Sequence, residues 1–153
     1  MTSSNSSFIL RVTLIFVVVG FALVYVGCKR DDEPSAHERI TSILTSAEAW
    51  TDPEVTVDGV DYSELYTSFE ISFATSTYST VEGDPVWQSS GSWRFLNEEG
   101  TRLQMDGTRE VELNLPTADI IELSFQWDES TFEPGRVNSV KGKQKVKLKK
   151  KPK

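Results

Sequence analysis

The chain has 153 residues, with one cysteine, one histidine and a formal net charge of −7. A chain of this length is enough for one modest domain with a hydrophobic core. The lone cysteine excludes a disulfide framework, and the single histidine leaves no nucleophile–base pair. We therefore expect a protein with no catalytic activity, no cofactor and no metal.

The N-terminal residues have the pattern of an export signal. An uncharged, almost wholly apolar run of 15 residues extends from Val12 to Val26, and Arg11 is the only charged residue before it. This run is shorter than the ~20 residues of a membrane-spanning helix, which favours a cleaved signal peptide. It continues into Tyr25-Val26-Gly27-Cys28, which resembles the lipobox of bacterial lipoproteins. We predict a signal peptide at residues 1–27 and lipidation of Cys28.

The charged residues after Cys28 are relevant to how the chain is attached to the membrane. An uncleaved membrane anchor is the alternative, with Lys29-Arg30 as its stop-transfer flank. Residues 28–34 are charged and end in Pro34, which predicts a solvated tether. They also resemble the acidic stretch that follows the lipidated cysteine in some surface-exported bacterial lipoproteins. Because two or more acyl chains anchor a protein stably, we expect an outer-membrane, lipid-anchored protein that faces either the periplasm or the cell surface.

A short amphipathic helix is predicted from about Ala36 to Glu48. Ser35 and Glu38 form a capping-box pattern at its start. Apolar residues then recur at helical spacing, and they are Ile40, Ile43, Leu44 and Ala47. His37 lies in the first turn without a second histidine or cysteine nearby, so it is a poor metal or catalytic candidate.

From Trp50 onward the hydrophobic period changes from helical to two. About eight short strands follow, separated by turn clusters and with no helix between consecutive strands. This pattern predicts an antiparallel meander, closed as a barrel or folded as a sandwich, within a domain at residues 35–153. The side chains predicted to face inward are Val55, Val57, Phe69, Ile71, Phe73, Tyr78, Trp93, Phe95, Leu103, Met105, Val111, Leu113, Leu115, Leu123, Phe125, Trp127, Val140, Val146 and Leu148.

The Asp106-Gly107 turn tests the register of two of these strands. A two-residue loop would place Val111 and Leu113 on the face opposite Leu103. An odd loop is needed to bury both apolar sets together. We therefore predict a three-residue loop with a bulge, Met105-Asp106-Gly107, with Gly107 in the left-handed conformation.

Several segments resemble the lipocalin-like lipoproteins of bacterial outer membranes over roughly residues 40–148. The resemblance implies an all-β fold: an eight-stranded antiparallel up-and-down barrel, preceded here by the short helix. Most members of that group have no assigned function. The segments are Val57-Asp58-Gly59-Val60-Asp61, Phe69-Glu70-Ile71-Ser72-Phe73, Asp84-Pro85-Val86-Trp87, Gly91-Ser92-Trp93-Arg94-Phe95 and Gly135-Arg136-Val137-Asn138-Ser139-Val140.

An eight-stranded barrel is just wide enough for its side chains to fill it or for one small ligand. The bulky inward set favours a filled interior over a ligand cavity. If there is a cavity, we expect it near the helical turn Asp61–Tyr66 and Trp87, where loops cover one barrel end. The candidate ligand-binding residues are Tyr66, Tyr78, Trp87 and Trp93.

The C-terminal segment is basic. Residues 141–153 hold eight of the nine lysines, whereas all 23 acidic residues lie between Asp31 and Glu133. Lysines occupy the odd positions from 141 to 149, which predicts that they keep an edge or an outer face soluble. Two alternatives remain: the Lys141–Lys153 tail binds a polyanion such as lipopolysaccharide or a polysaccharide, or the acidic body attracts it within the molecule.

Together these features predict a lipid-anchored outer-membrane or surface lipoprotein with a non-catalytic barrel that binds a small apolar ligand or an envelope component. The alternative is a structural accessory subunit of an envelope assembly, with a filled core and no ligand. We expect contact with the membrane through the lipid on Cys28, an apolar ligand or envelope protein as partner, and no nucleic acid.

Overall fold

The computed structural model describes residues 33–129 and 140–153. The signal peptide predicted at 1–27, Cys28 and most of the tether lie outside these residues, as do residues 135–139 of the last family-like segment. Within the described ranges, none of the helices is both long and apolar enough to cross a membrane.

Helix α1 spans Ala36–Ser46 and begins with the predicted capping box. The Ser35 hydroxyl accepts a hydrogen bond from the Glu38 backbone N–H at 3.2 Å, and the Glu38 carboxylate accepts one from the Ser35 N–H at 2.8 Å. These two bonds satisfy donors that a helix start leaves unpaired. The helix ends two residues earlier than predicted because Ala47 is already extended and leads into the first strand.

The predicted eight-stranded antiparallel up-and-down barrel is confirmed. Each strand pairs with its neighbours in sequence, and the last strand pairs back onto the first. A two-residue strand, β2, pairs only with β1, and a 3-10 helix at Ser63–Tyr66 follows it. The strands are β1 (Ala49–Val57), β2 (Val60–Asp61), β3 (Glu70–Phe73), β4 (Thr77–Val81), β5 (Ser90–Phe95), β6 (Arg102–Met105), β7 (Arg109–Thr117), β8 (Ile120–Trp127) and β9 (Gly142–Lys151).

The loop between β6 and β7 contains three residues, as the burial pattern required. Leu103 lies opposite Val111 and Met105 lies opposite Arg109, so both apolar sets face the same side. The loop is Asp106-Gly107-Thr108, one residue later than predicted. Asp106 shares the left-handed conformation with Gly107, at φ values of 54° and 73°.

The inward side chains form one buried cluster. The residues predicted to face inward are all buried except Phe95 and Leu115, which are partly buried and pack against the core. Ile121 on β8 and Gln144 on β9 are buried as well. Close packing of these apolar side chains supplies most of the stability of a small domain. The alternation of apolar and polar residues along the strands was sufficient to identify most of this core.

The two ends of the barrel differ. At one, which we call the helix end, α1 packs against the β5–β6 connection: the His37 ring stacks on Phe95 at 4.2 Å and bonds to the Asn97 carbonyl at 2.7 Å. The buried Leu44 of α1 also lies here, and its carbonyl accepts the Trp50 indole N–H at 3.0 Å. The connections 58–69, 82–89 and 106–108 form the opposite end, the loop end.

The lysines of β9 alternate outward as predicted, but β9 is not an edge strand because it pairs with both β8 and β1. The prediction that these lysines protect an edge is therefore wrong, whereas their place on an outer face is confirmed. Acidic side chains of neighbouring segments contact them. The ion pairs are Lys145–Glu122, Lys147–Glu54, Lys149–Asp52, Lys150–Asp119 and Lys151–Glu70, at 3.0–3.9 Å.

Asp58 holds the start of β9 where the barrel closes. Its carboxylate accepts a hydrogen bond from the Lys143 N–H at 2.8 Å, and its own N–H donates to the Lys143 carbonyl at 2.9 Å. Gly142, at φ 142°, leaves room for this contact, since a Cβ there would lie 2.8 Å from Asp58 Cγ and closer still to Oδ2.

Replacing Gly142 should therefore weaken the closure. We expect Gly142→Ala to lower the free energy of unfolding by about 2–4 kcal/mol, from backbone strain and displacement of the carboxylate. Gly59→Ala is the matched control, because φ at Gly59 is also positive but nothing lies within 4 Å of the added carbon; it should cost about 1 kcal/mol. Equal losses in urea denaturation of the two variants would contradict this account.

Candidate functional site

Arg109 is placed inside the loop end of the barrel. It is the first residue of β7, and the three-residue loop before it gives it the same parity as the buried Val111 and Leu113. Its guanidinium carbon lies 5.6 Å from the ring centroid of Trp87, 5.4 Å from that of Phe125 and 4.7 Å from that of Trp127. Cations within about 6 Å of aromatic centroids are attracted to the rings. We call these three rings the aromatic cage.

The cage is held by strand geometry and by one loop. Phe125 and Trp127 alternate inward on β8, while Trp87 comes from the 82–89 connection. The Trp87 ring packs against Phe125 at 5.0 Å with the rings nearly perpendicular, and against Phe69 at 5.7 Å. A Cβ atom at position 83 would lie only 2.7 Å from Trp87 Cβ. Residue 83 can therefore lie this close to Trp87 only because it is glycine.

Two N–H donors in this cluster have no acceptor. Within the part of the chain that the structure describes, Arg109 Nη1 and Trp127 Nε1 are buried and unpaired. By contrast, the indole N–H groups of Trp50 and Trp93 each donate to a backbone carbonyl at 3.0 Å. An unsatisfied buried donor costs about 1–3 kcal/mol. Both unpaired donors lie in the same cluster, which makes this cluster the candidate site.

Asp106, three residues before Arg109, accepts hydrogen bonds from two neighbouring strands. The Tyr78 hydroxyl donates to Oδ2 at 2.5 Å, and the Ser92 N–H donates to Oδ1 at 3.2 Å. The contact depends on Gly91, where a Cβ would lie 2.6 Å from the Tyr78 ring. Burial, the hydrogen bond to Asp106 and its negative charge together raise the pKa of Tyr78 well above its ordinary value, so this phenol stays protonated.

The electrostatics favour a retained positive charge on Arg109. Burial lowers the pKa of the guanidinium, while Tyr78, Asp106 and Glu129 act in the opposite direction. An arginine in a protein nevertheless remains protonated at neutral pH. The site therefore offers one partly buried cation, two free N–H donors and three aromatic rings. These groups can hold an anionic or polar acceptor beside an apolar surface.

The structure brings three of the four predicted ligand-binding residues to the loop end. Trp87 is in the aromatic cage, Tyr66 is buried edge-on to Phe69 at 6.3 Å, and Tyr78 bonds to the β6–β7 loop. Trp93 instead packs between Phe73 and Phe95, toward the helix end. Its N–H is satisfied, so Trp93 is part of the core next to α1.

Arg109 was not among the residues that the sequence singled out. The signal was available, however: once the loop after Met105 is odd, the parity that buries Val111 also points Arg109 inward. Its partner Trp127 was predicted to be a core residue, and the position is right. The alternation of residues along β8 could not show that the indole N–H of Trp127 has no hydrogen-bond acceptor.

Other features also mark the loop end. The large apolar side chains that the described residues expose are Val60, Leu65 and Val81, each more than half exposed, and all three lie at this end. A polar groove of about 300 Å³ beside Tyr66 and Asp84 opens there too. Within the described residues, no cluster of three or more His, Cys, Asp or Glu side chains is arranged to hold a metal ion.

Comparison with known proteins does not add a family to this description. No protein-family model, curated protein or solved structure matches this chain. The candidate site therefore stands on its own geometry.

The raised pKa of Tyr78 gives a prediction for alkaline pH. A folded pKa above the unfolded value of about 10 means that the neutral phenol stabilises the fold fully below pH 10, and that this contribution is lost as the pH rises further. At pH 8, Tyr78→Phe should be less stable than the wild type by about 1–2 kcal/mol. By pH 11 this difference should shrink by about 1 kcal/mol.

The measurement is urea denaturation of both proteins at the two pH values. Comparing them at each pH cancels the titration of the lysines, which both carry. A stability difference that stays constant or grows between pH 8 and pH 11 would contradict the assignment of a protonated, hydrogen-bonded Tyr78.

Proposed function

We propose that this protein is a lipid-anchored outer-membrane lipoprotein whose barrel binds a small ligand at its loop end without catalysis. The observation that carries the binding role is the pair of buried, unpaired donors, Arg109 Nη1 and Trp127 Nε1, inside the aromatic cage. Binding sites are typically apolar with a few well-placed polar groups that orient the ligand. The loop end has that composition.

The anchoring role rests on the sequence. The short apolar run that ends at Cys28, and the resemblance to lipocalin-like lipoproteins of bacterial outer membranes, support it. In the described domain, α1 starts beside the β5–β6 connection, so the chain enters the barrel at the helix end. A ligand site at the loop end is thus at the opposite end of the barrel from the start of α1.

The filled interior favours a second candidate, a structural accessory subunit of an envelope assembly. With the inward side chains of the barrel packed against one another, the barrel can act as a rigid spacer. The exposed Val60, Leu65 and Val81 would then contact a protein partner rather than a small ligand.

Intact-mass analysis of the protein purified from membranes tests the anchor. We expect the mass to lack residues 1–27 and to include acyl chains on Cys28. Cys28→Ser should remove the acyl mass and release the protein from the membrane fraction, because the acyl chains supply the stable anchoring. An unmodified Cys28, or a Cys28→Ser variant that remains in the membrane fraction, would contradict lipid anchoring.

Native mass spectrometry of the same preparation tests the binding role. We expect a small molecule bound at one per chain, because the barrel has a single loop end. Cross-linking in the membrane fraction is the parallel measurement. A ligand-free chain cross-linked in constant ratio to another protein would contradict the ligand-binding role and support the accessory subunit.

A further inference from the structure

The two unpaired donors also indicate which chemical class of ligand fits. We propose that Arg109 and Trp127 bind the carboxylate of an amphiphilic ligand, whose apolar part lies against the aromatic cage and the loop end. This inference rests on the proposed binding role and adds the chemistry of the ligand. It is based on the geometry of donors and rings, the charges around them and the distribution of exposed apolar side chains.

The first step is that the ligand carries a negative charge. The guanidinium of Arg109 is a permanent cation, and its Nη1 is buried without an acceptor. Asp106 accepts hydrogen bonds from Tyr78 and Ser92, and it supplies no acceptor to Nη1, which has no partner. Glu129 interacts with Arg109 electrostatically but is exposed. A charge-assisted bond from an anionic ligand would therefore satisfy the guanidinium.

The second step is that the anion is a carboxylate. The two free donors belong to different side chains of one cluster, and the guanidinium carbon lies 4.7 Å from the Trp127 ring centroid. We infer that the two oxygens of one carboxylate accept one bond each from this pair. A phosphate monoester would bring about two charges at neutral pH. With Asp106 and Glu129 close by, the site is less favourable for a dianion.

The third step concerns the rest of the ligand. The rings of Trp87 and Phe125 lie next to the guanidinium of Arg109 and present apolar surface beside it. Val60, Leu65 and Val81 extend apolar surface around the same barrel end. Because the inward side chains beyond the cage form one buried cluster, we place the apolar part at the loop end. Arg109 is partly buried as a residue, but Nη1 and Trp127 Nε1 are themselves buried, so a ligand reaches them only when side chains at the loop end move aside.

Four octyl compounds test the proposal on the full-length protein in lipid nanodiscs, with tryptophan fluorescence as the readout and empty nanodiscs as the blank. They are octanoate, octyl phosphate, 1-octanol and octyltrimethylammonium, which share one chain and differ in the head group. We expect octanoate to bind about 10- to 100-fold more tightly than octanol, the range expected for hydrogen bonds to a charged group. Octyl phosphate should bind more weakly than octanoate, and octyltrimethylammonium most weakly.

Variants locate the effect. Arg109→Gln should lose about 10- to 100-fold in octanoate affinity while its affinity for octanol changes little. Trp127→Phe keeps a ring but removes the N–H, and we expect a smaller loss of about 3- to 10-fold. Arg94→Gln is the matched control, because Arg94 is exposed and bonds to Gln104 on the outer face. Circular dichroism shows whether each variant retains the barrel.

The outcomes separate the two claims. If octanol binds as tightly as octanoate, or if folded Arg109→Gln binds octanoate like the wild type, the carboxylate assignment is overturned and the binding role stands. Tighter binding of octyl phosphate would also overturn the assignment. If none of the four compounds binds, the binding role itself fails. The wild-type series decides between these outcomes even if a variant does not fold.

Discussion

The packing of the Arg109 guanidinium against Trp87, Phe125 and Trp127 is the interaction from which the functional account follows. A charged side chain on the inward face of a small barrel is costly, because burial removes water from the charge. The aromatic rings offset part of this cost through their negative faces. They do not provide hydrogen-bond acceptors, so one guanidinium N–H and the Trp127 indole N–H remain unpaired. These two open donors are the basis of the proposed binding role.

Barrel closure is what makes this arrangement possible. Pairing of β9 with both β1 and β8 closes the ring of eight strands, so that among the described strands only the two-residue β2 has an unpaired side. Closure fixes the inward and outward faces of the eight barrel strands. The helix end is covered by α1, with Leu44, Trp50 and the His37–Phe95 stack as its main contacts. The loop end carries Arg109 and the exposed apolar side chains. The two ends therefore differ, and the proposed binding site lies at the loop end.

Much of this fold could be predicted because period-two alternation is strong here. The capping box of Ser35 and Glu38 marked the start of α1, and the burial of both Leu103 and Val111 required an odd loop. Period-two alternation alone left a barrel and a sandwich open, because contact between β1 and β9 joins residues nearly a hundred positions apart; the closed barrel was implied by the resemblance. Arg109 was missed because charged residues are assumed to face solvent. The sequence made Trp87 and Trp93 equal candidates for ligand binding. Only the tertiary structure shows that Trp87 belongs to the aromatic cage and Trp93 to the core.

The central claim is that the Trp127 indole N–H is an open donor that a carboxylate ligand completes. The ¹H–¹⁵N spectrum of the tryptophan side chains tests it directly, because Trp50 and Trp93 already donate to carbonyls and serve as internal references. On titration with octanoate, the account predicts a downfield shift of the Trp127 indole proton while the Trp50 resonance stays in place. A Trp127 resonance that does not move at saturating octanoate would contradict it.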